Sequence, residues 1–188
     1  FVLVHLIGLL PAVLAPEQFE AYATALHSSP WLPVVESGLL LLAVVHISLT
    51  MAKAMANRRA GNTAPLRSRR QSPLAALASR STMVAGLVTL GFLVIHLCQL
   101  RWPRPAAGEE AATLIQVLQQ PWNAVLYAAA AVALALHLLH GTEAAHRSLG
   151  WLTPANSSAL RAGAGVLAAL ISGGFLMISV LLALGGVA

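Results

Sequence analysis

The fold class this sequence predicts is an all-α integral membrane protein, with five transmembrane helices in one bundle. Three observations predict it. Hydrophobic residues make up 58% of the 188 and charged residues only 9%, and the mean hydropathy is +0.78, a balance found in membrane proteins rather than soluble domains. Apolar residues gather into five segments, 1–12, 33–56, 80–101, 122–147 and 160–186, and crossing a bilayer takes about 20 residues of helix. None of the segments alternates with the period of two that a barrel strand needs.

The first segment stops at Pro11, too short to cross alone, and the chain opens on Phe1. The expectation is a first helix truncated at its start, completed by residues upstream of Phe1; a signal-peptide remnant is the competing reading. The other four segments are long enough to span. They divide the chain into short polar connections, and the whole, 1–188, reads as a single transmembrane domain. The fifth segment carries Gly173 and Gly174 and no histidine, and it reads as a packing helix.

Orientation follows from the basic residues. The link between the second and third segments holds Lys53, Arg58, Arg59, Arg67, Arg69, Arg70 and Arg80, seven of the eleven Lys and Arg, while the link after the first has Glu17, Glu20 and Glu36 and no base. The Arg-rich link is therefore expected on the cytoplasmic side. Arg147 and Arg161 place the fourth-to-fifth link there too, and the mixed link with Arg101, Arg104, Glu109 and Glu110 falls outside. Trp31, Trp102, Trp122 and Trp151 all stand at segment ends, as an interfacial aromatic belt would place them. A pI near 10.7 raises nucleic acid as a partner, but the charge is confined to connections and forms no basic face, so nucleic acid is excluded. The lone Cys98 excludes an intrachain disulfide and any cysteine-rich zinc or iron–sulfur site from this chain alone.

Four histidines, His5, His46, His96 and His137, one from each of the first four segments, sit among Leu, Val and Ala. An intramembrane histidine is costly and is usually paired, coordinated or water-lined. By helical rise, His46 lies about 16 Å and His137 about 15 Å from the cytoplasmic ends of their helices, whereas His96 and His5 lie about 8 and 9 Å from their outer ends. Each level thus offers two imidazoles from two helices. That is what bis-histidine ligation of a haem requires, one ligand per face of the macrocycle. The alternative for each histidine is a bond to a carbonyl one turn back. Gly8, Gly91 and Gly141 near the histidines suit a flat macrocycle or close helix packing equally. His140 competes with His137 as ligand, being three residues away; nearer the rim, His140, His146, Arg80 and Ser81 are candidates for haem propionates or for plain solvation.

The stretches FVLVHLIG (1–8), PEQFEAYATALHSS (16–29), VVESGLLLLAVVHISL (34–49) followed by ANRRA, SRSTMVAGLVTLGFLVIHL (79–97) and PWNAVLYAAAAVALALHLLHGTEAAHRSLGW (121–151) together resemble the di-haem cytochrome b membrane anchor of succinate dehydrogenases and fumarate reductases, the five-helix single-chain type. The ligand pattern of that family falls on His5, His46, His96 and His137, the last followed four residues on by Gly141, and pairs the first with the third and the second with the fourth. The apolar Ala135-Leu136 before His137 departs from the family and puts a proton carrier inside that helix in doubt. The resemblance implies two haem b groups, a quinone partner, expected to be menaquinone, and flavoprotein and iron–sulfur subunits docked on the cytoplasmic face of a bacterial-type plasma membrane. Such an anchor does no dicarboxylate chemistry itself; it carries electrons from the iron–sulfur partner through the inner and then the outer haem to quinone in the membrane lipid. At the outer rim Glu36, His27 and Glu20 are candidates for relaying protons to quinone, though Glu36 also suits a helix N-terminus.

Two other readings use the same residues. Another quinone-linked dehydrogenase has a di-haem cytochrome b too, but places several ligands on fewer helices. A non-redox transporter or scaffold would show Gly/Pro-broken helices in repeated halves, and the spans here hold almost no proline.

Overall fold

The computed structural model describes residues 1–61 and 72–185, and every regular element among them is helical. Helix α1 covers Val2–Leu9, α2 Pro11–Leu14, α3 Pro16–Ser28 and α4 Leu32–Arg59; α5 covers Pro73–His96 and runs into a π-helical turn, Leu97–Arg101. Then come α6, Glu110–Gln119, α7, Pro121–Ser148, and α8, Ser157–Ala183. Four of these, α4, α5 with its π-turn, α7 and α8, have 27 to 29 residues and are long and apolar enough to cross a membrane. The Val2–Leu14 stretch is a shorter apolar helix pair, broken at Leu10 where Pro11 starts a new turn.

The expected spans recur with shifted ends. Proline at the first helical position, where the missing N–H costs nothing, opens α2, α3, α5 and α7. Helix α5 begins seven residues before the expected start, because Ser72 caps it by accepting from the Ala75 N–H at 3.5 Å and Pro73 follows. Lys53, Arg58, Arg59 and Arg80 are therefore helical rather than parts of a loop. Arg67, Arg69 and Arg70 lie outside the described residues. The four tryptophans are 63 to 72% exposed at helix ends, as expected of a belt.

Helices α3 and α6 were not expected; both connections read as plain links. Each is amphipathic. Phe19 and Ala23 are buried on α3, and Ala111, Leu114 and Leu118 on α6, the spacing of one helical face.

The contacts divide the chain into two compact units. One holds residues 23–61 of those described, with the end of α3 and all of α4, of which no residue is buried. The other holds residues 1–22 and everything described from 72 onward. In it α7 is central, packed against α5 and α8, with α1 and α2 against α8 and α6 lying on α7 and α8. The α5–α7–α8 contacts are made through small residues, Ala78 and Ala85, Ala130, Ala131 and Ala133, Ala164 and Ala168, which let helix backbones approach closely. Large side chains gather at one end instead: Leu6, Phe19, Leu114, Leu118, Tyr127, Ile178 and Leu182 form a single cluster where α1, α2, α3 and α6 close over the bundle. This is the Trp102 end; the other is the Arg147 end.

Candidate haem-ligand site

At the Trp102 end, α1 is keyed to α8. A Cβ on Gly174 would lie 2.7 Å from Leu6 Cδ2, so the glycine leaves the notch in which Leu6 sits. The neighbouring His5 then stands against Phe175, ring centres 5.8 Å apart, with Phe1 stacked on it at 5.5 Å. Across the unit His5 faces His96, with ring centres 6.0 Å apart and planes inclined at 75°. The two histidines expected to share a level are thus brought together.

His96 ends α5. Its ring stacks on Phe92 at 5.5 Å, and its Nδ1 lies 3.1 Å from the Tyr127 hydroxyl on α7. Tyr127, 8% exposed, donates to Gln99 Oε1 at 3.1 Å; Gln99 Nε2 donates to Asn123 Oδ1 at 2.8 Å; Asn123 Nδ2 donates to the Val117 carbonyl at 2.9 Å. Gln99 sits in the π-turn, where the Trp102 N–H reaches back to the Leu97 carbonyl at 2.9 Å. Pro103, with no N–H, ends the helix just after it. π-turns of this kind recur at functional sites.

His137 lies deeper. A Cβ on Gly86 would stand 3.4 Å from its Cε1 and 3.5 Å from its Nδ1, so its ring rests on α5 at Gly86. From His96 to Gly86 is ten residues back along α5, and from Tyr127 to His137 ten forward along α7. The antiparallel register therefore holds over about 15 Å, the depth that separates His137 from the His5/His96 level. Of the three glycines singled out from the sequence, Gly8 receives the Tyr22 ring, 2.7 Å from the place of a Cβ, while a Cβ at Gly91 or Gly141 would touch nothing. Gly86 is the glycine that faces a candidate ligand.

Toward the Arg147 end, α7 carries His140, Glu143, His146 and Arg147 on successive turns. Glu143 is 2% exposed and its Oε1 takes a 2.6 Å bond from Arg147 Nη2, whose side chain is 62% exposed. The sequence reading passed over this buried acid; its i,i+4 spacing from Arg147 is the signal that finds it. His146 donates Nδ1–H to the Thr142 carbonyl at 2.8 Å. Ser81 spends its hydroxyl on the Leu77 carbonyl at 2.9 Å, and Arg80 is exposed in the second turn of α5.

His46, exposed in the middle of α4, belongs to the unit of residues 23–61, as do His27 in the last turn of α3 and Glu36 in the second turn of α4, both half-buried. His137 belongs to the other unit, so the expected His46–His137 pair spans the two. Glu20, one of the candidate proton carriers, holds the N-terminus of α6. Its carboxylate accepts from the Ala111 N–H at 2.7 Å and the Glu110 N–H at 3.2 Å. Burial, then the hydrogen bond and charge of Glu110, raise the Glu20 pKa above the ordinary carboxylate range.

Among the described residues no three or more His, Cys, Asp or Glu side chains gather as an all-protein metal cage needs. The arrangement at the Trp102 end is a pair. No protein-family model, curated protein or solved structure matches the chain, so its function is argued from its own residues.

Proposed function

We propose that this chain is the cytochrome b membrane anchor of a succinate:quinone oxidoreductase, holding two haem b groups between a cytoplasmic iron–sulfur subunit and membrane quinone. The observation that carries the reading is the His5–His96 pair. Imidazole nitrogens bind first-row metals at about 2.0–2.1 Å, so two imidazoles that would share one metal must stand with their rings close together. The two rings, with centres 6.0 Å apart, come from different helices and stand close enough for one metal to be held between them. His96 also has the polar partner on its other ring nitrogen that metal-bound histidines require.

Bound haem supplies one-electron transfer across the low-dielectric interior. The chain's own residues orient the ligands, exclude water through Phe92, Tyr127 and Phe175, and shape the surroundings. For the second haem the ligands proposed are His46 and His137, with His140 as the competitor on α7. Glu36 and His27 are proposed as proton carriers to quinone at the outer rim, and Arg80, Ser81 and His140 as propionate contacts; Ser81 would have to give up its bond to the Leu77 carbonyl to donate to a carboxylate. The Arg-rich 53–80 link is proposed to meet the iron–sulfur partner.

A reduced-minus-oxidised spectrum of the purified chain from haem-replete cells, with haem quantified per protein, tests the reading. Two low-spin b haems per chain are expected. A chain with no haem absorption overturns it. Within it, the Glu36→Gln/His27→Ala double variant should lose quinone turnover in the assembled complex while keeping both haem spectra and dye-linked succinate oxidation.

A further inference from the structure

The polar chain at the Trp102 end has a direction, and one backbone carbonyl determines it. A carbonyl can only accept, so Asn123 must present its NH2 to Val117 O, at 2.9 Å. Its Oδ1 then faces Gln99 and must receive, which turns the Gln99 NH2 toward Asn123, at 2.8 Å, and the Gln99 oxygen toward Tyr127. A Tyr hydroxyl has a single proton, and Gln99 Oε1 takes it at 3.1 Å. The phenolic oxygen can therefore only accept from His96 Nδ1, 3.1 Å away. Flipping either amide would set oxygen against oxygen or donor against donor, so the usual ambiguity of amide orientation and histidine tautomer is absent here.

We infer that the Val117 carbonyl, acting through Asn123, Gln99 and Tyr127, holds His96 in its Nδ1–H tautomer and so leaves the Nε2 lone pair as its metal-binding group. The tautomer follows from the bonds alone; that the lone pair meets haem iron rests on the function proposed above. Tyr127, Gln99 and Asn123 are positioning residues. They touch no iron, but a hydrogen bond accepted from Nδ1–H raises the basicity of the opposite nitrogen and fixes the ring's orientation. Four bonds aligned head to tail polarise one another, which strengthens the hold beyond that of an isolated Tyr. The π-turn places Gln99, on the α5 side, where it bridges two residues of α7.

The test is long-range 1H–15N correlation on the full chain with 15N-labelled histidine, kept reduced so that low-spin iron is diamagnetic, the His96 signals being identified by their loss in His96→Gln. The expected pattern is a protonated Nδ1 and an unprotonated Nε2 at His96. In Tyr127→Phe, and in Asn123→Leu as a variant remote from the ring, that fixed pattern should give way to mixed tautomers wherever Nε2 is not held by iron. In the haem-loaded chain the same variants should shift one haem potential positive, together with that haem's EPR g-values, and leave the other haem unchanged. His96 found with a proton on Nε2, or both variants leaving tautomer and potential as they were, overturns the inference. A chain that shows the Nδ1–H pattern and the variant effects on it but never binds haem supports the inference and overturns the function proposed above.

Discussion

The two ends of α7 handle their polar groups in opposite ways. At the Trp102 end the bonds of His96, Tyr127 and Gln99 join residues 24 to 31 apart in sequence, and they exist only because α5 and α7 are in one register. Toward the Arg147 end the bonds donated by Thr142, His146 and Arg147 are local, each four residues long: Thr142 to Leu138, His146 to Thr142, Arg147 to Glu143. A side chain fixed by tertiary contacts is as rigid as the packing around it, whereas one fixed by its own helix keeps its place when neighbouring helices move.

The largest effect that bears on this contrast is loss of a haem. His5→Leu or His96→Leu should each remove one haem and leave the other, and His46→Leu or His137→Leu should do the converse, read as haem per protein. If His137→Leu keeps both haems and His140→Leu loses one, the ligand on α7 is His140. Next comes the charge pair: Arg147→Met removes the 2.6 Å ion pair from a buried carboxylate and should lower stability by about 2 kcal/mol, partly recovered in the Glu143→Gln/Arg147→Met double variant. Thermal unfolding of the parent chain, Glu143→Gln, Arg147→Met and the double variant in detergent gives the coupling.

A smaller effect separates the ends by packing. Gly174→Ala drives a methyl to within 2.7 Å of the Leu6 side chain, so Leu6 must leave its notch or α1 must shift, and binding of a haem proposed to be held by His5 should weaken. Gly86→Ala meets the His137 ring at 3.4 Å, ordinary contact, and both haems should stay.

The smallest concerns Glu20. Its pKa is raised in the folded chain, so folded protein holds this proton more tightly than unfolded. The stabilisation is full below the ordinary carboxylate pKa and is lost as pH rises through the raised one. Glu20→Gln should flatten the dependence of the unfolding temperature over that window, while Glu20→Ala, which uncaps α6, should cost about 1 kcal/mol throughout.

The four long helices were legible in the sequence because length and hydropathy alone decide them, and their ends moved only where a cap such as Ser72-Pro73 outranked composition. Helices α3 and α6 were illegible to a search for spans, being short and mixed, although Phe19/Ala23 and Ala111/Leu114/Leu118 keep a helical face. Depth along the helices paired His5 with His96, since a rise per residue is all that argument needs. It could not reach Tyr127, Gln99 or Asn123, whose meeting with His96 depends on how two helices are set side by side. Nor could it tell that Glu20 is occupied by backbone N–H groups 90 and 91 residues away.

That long clasp has a consequence for how the chain enters a membrane. Glu20 and the start of α6 can bond only if they emerge on the same side, and the chain between them contains α4 and α5, two helices long and apolar enough to cross. Should either helix fail to insert, the count becomes odd, and Glu20 and Ala111 are left on opposite faces of the bilayer with no means of meeting. If both helices cross, closure of the clasp thus reports on their insertion, and a chain that fails to close it leaves the apolar faces of α3 and α6 uncovered.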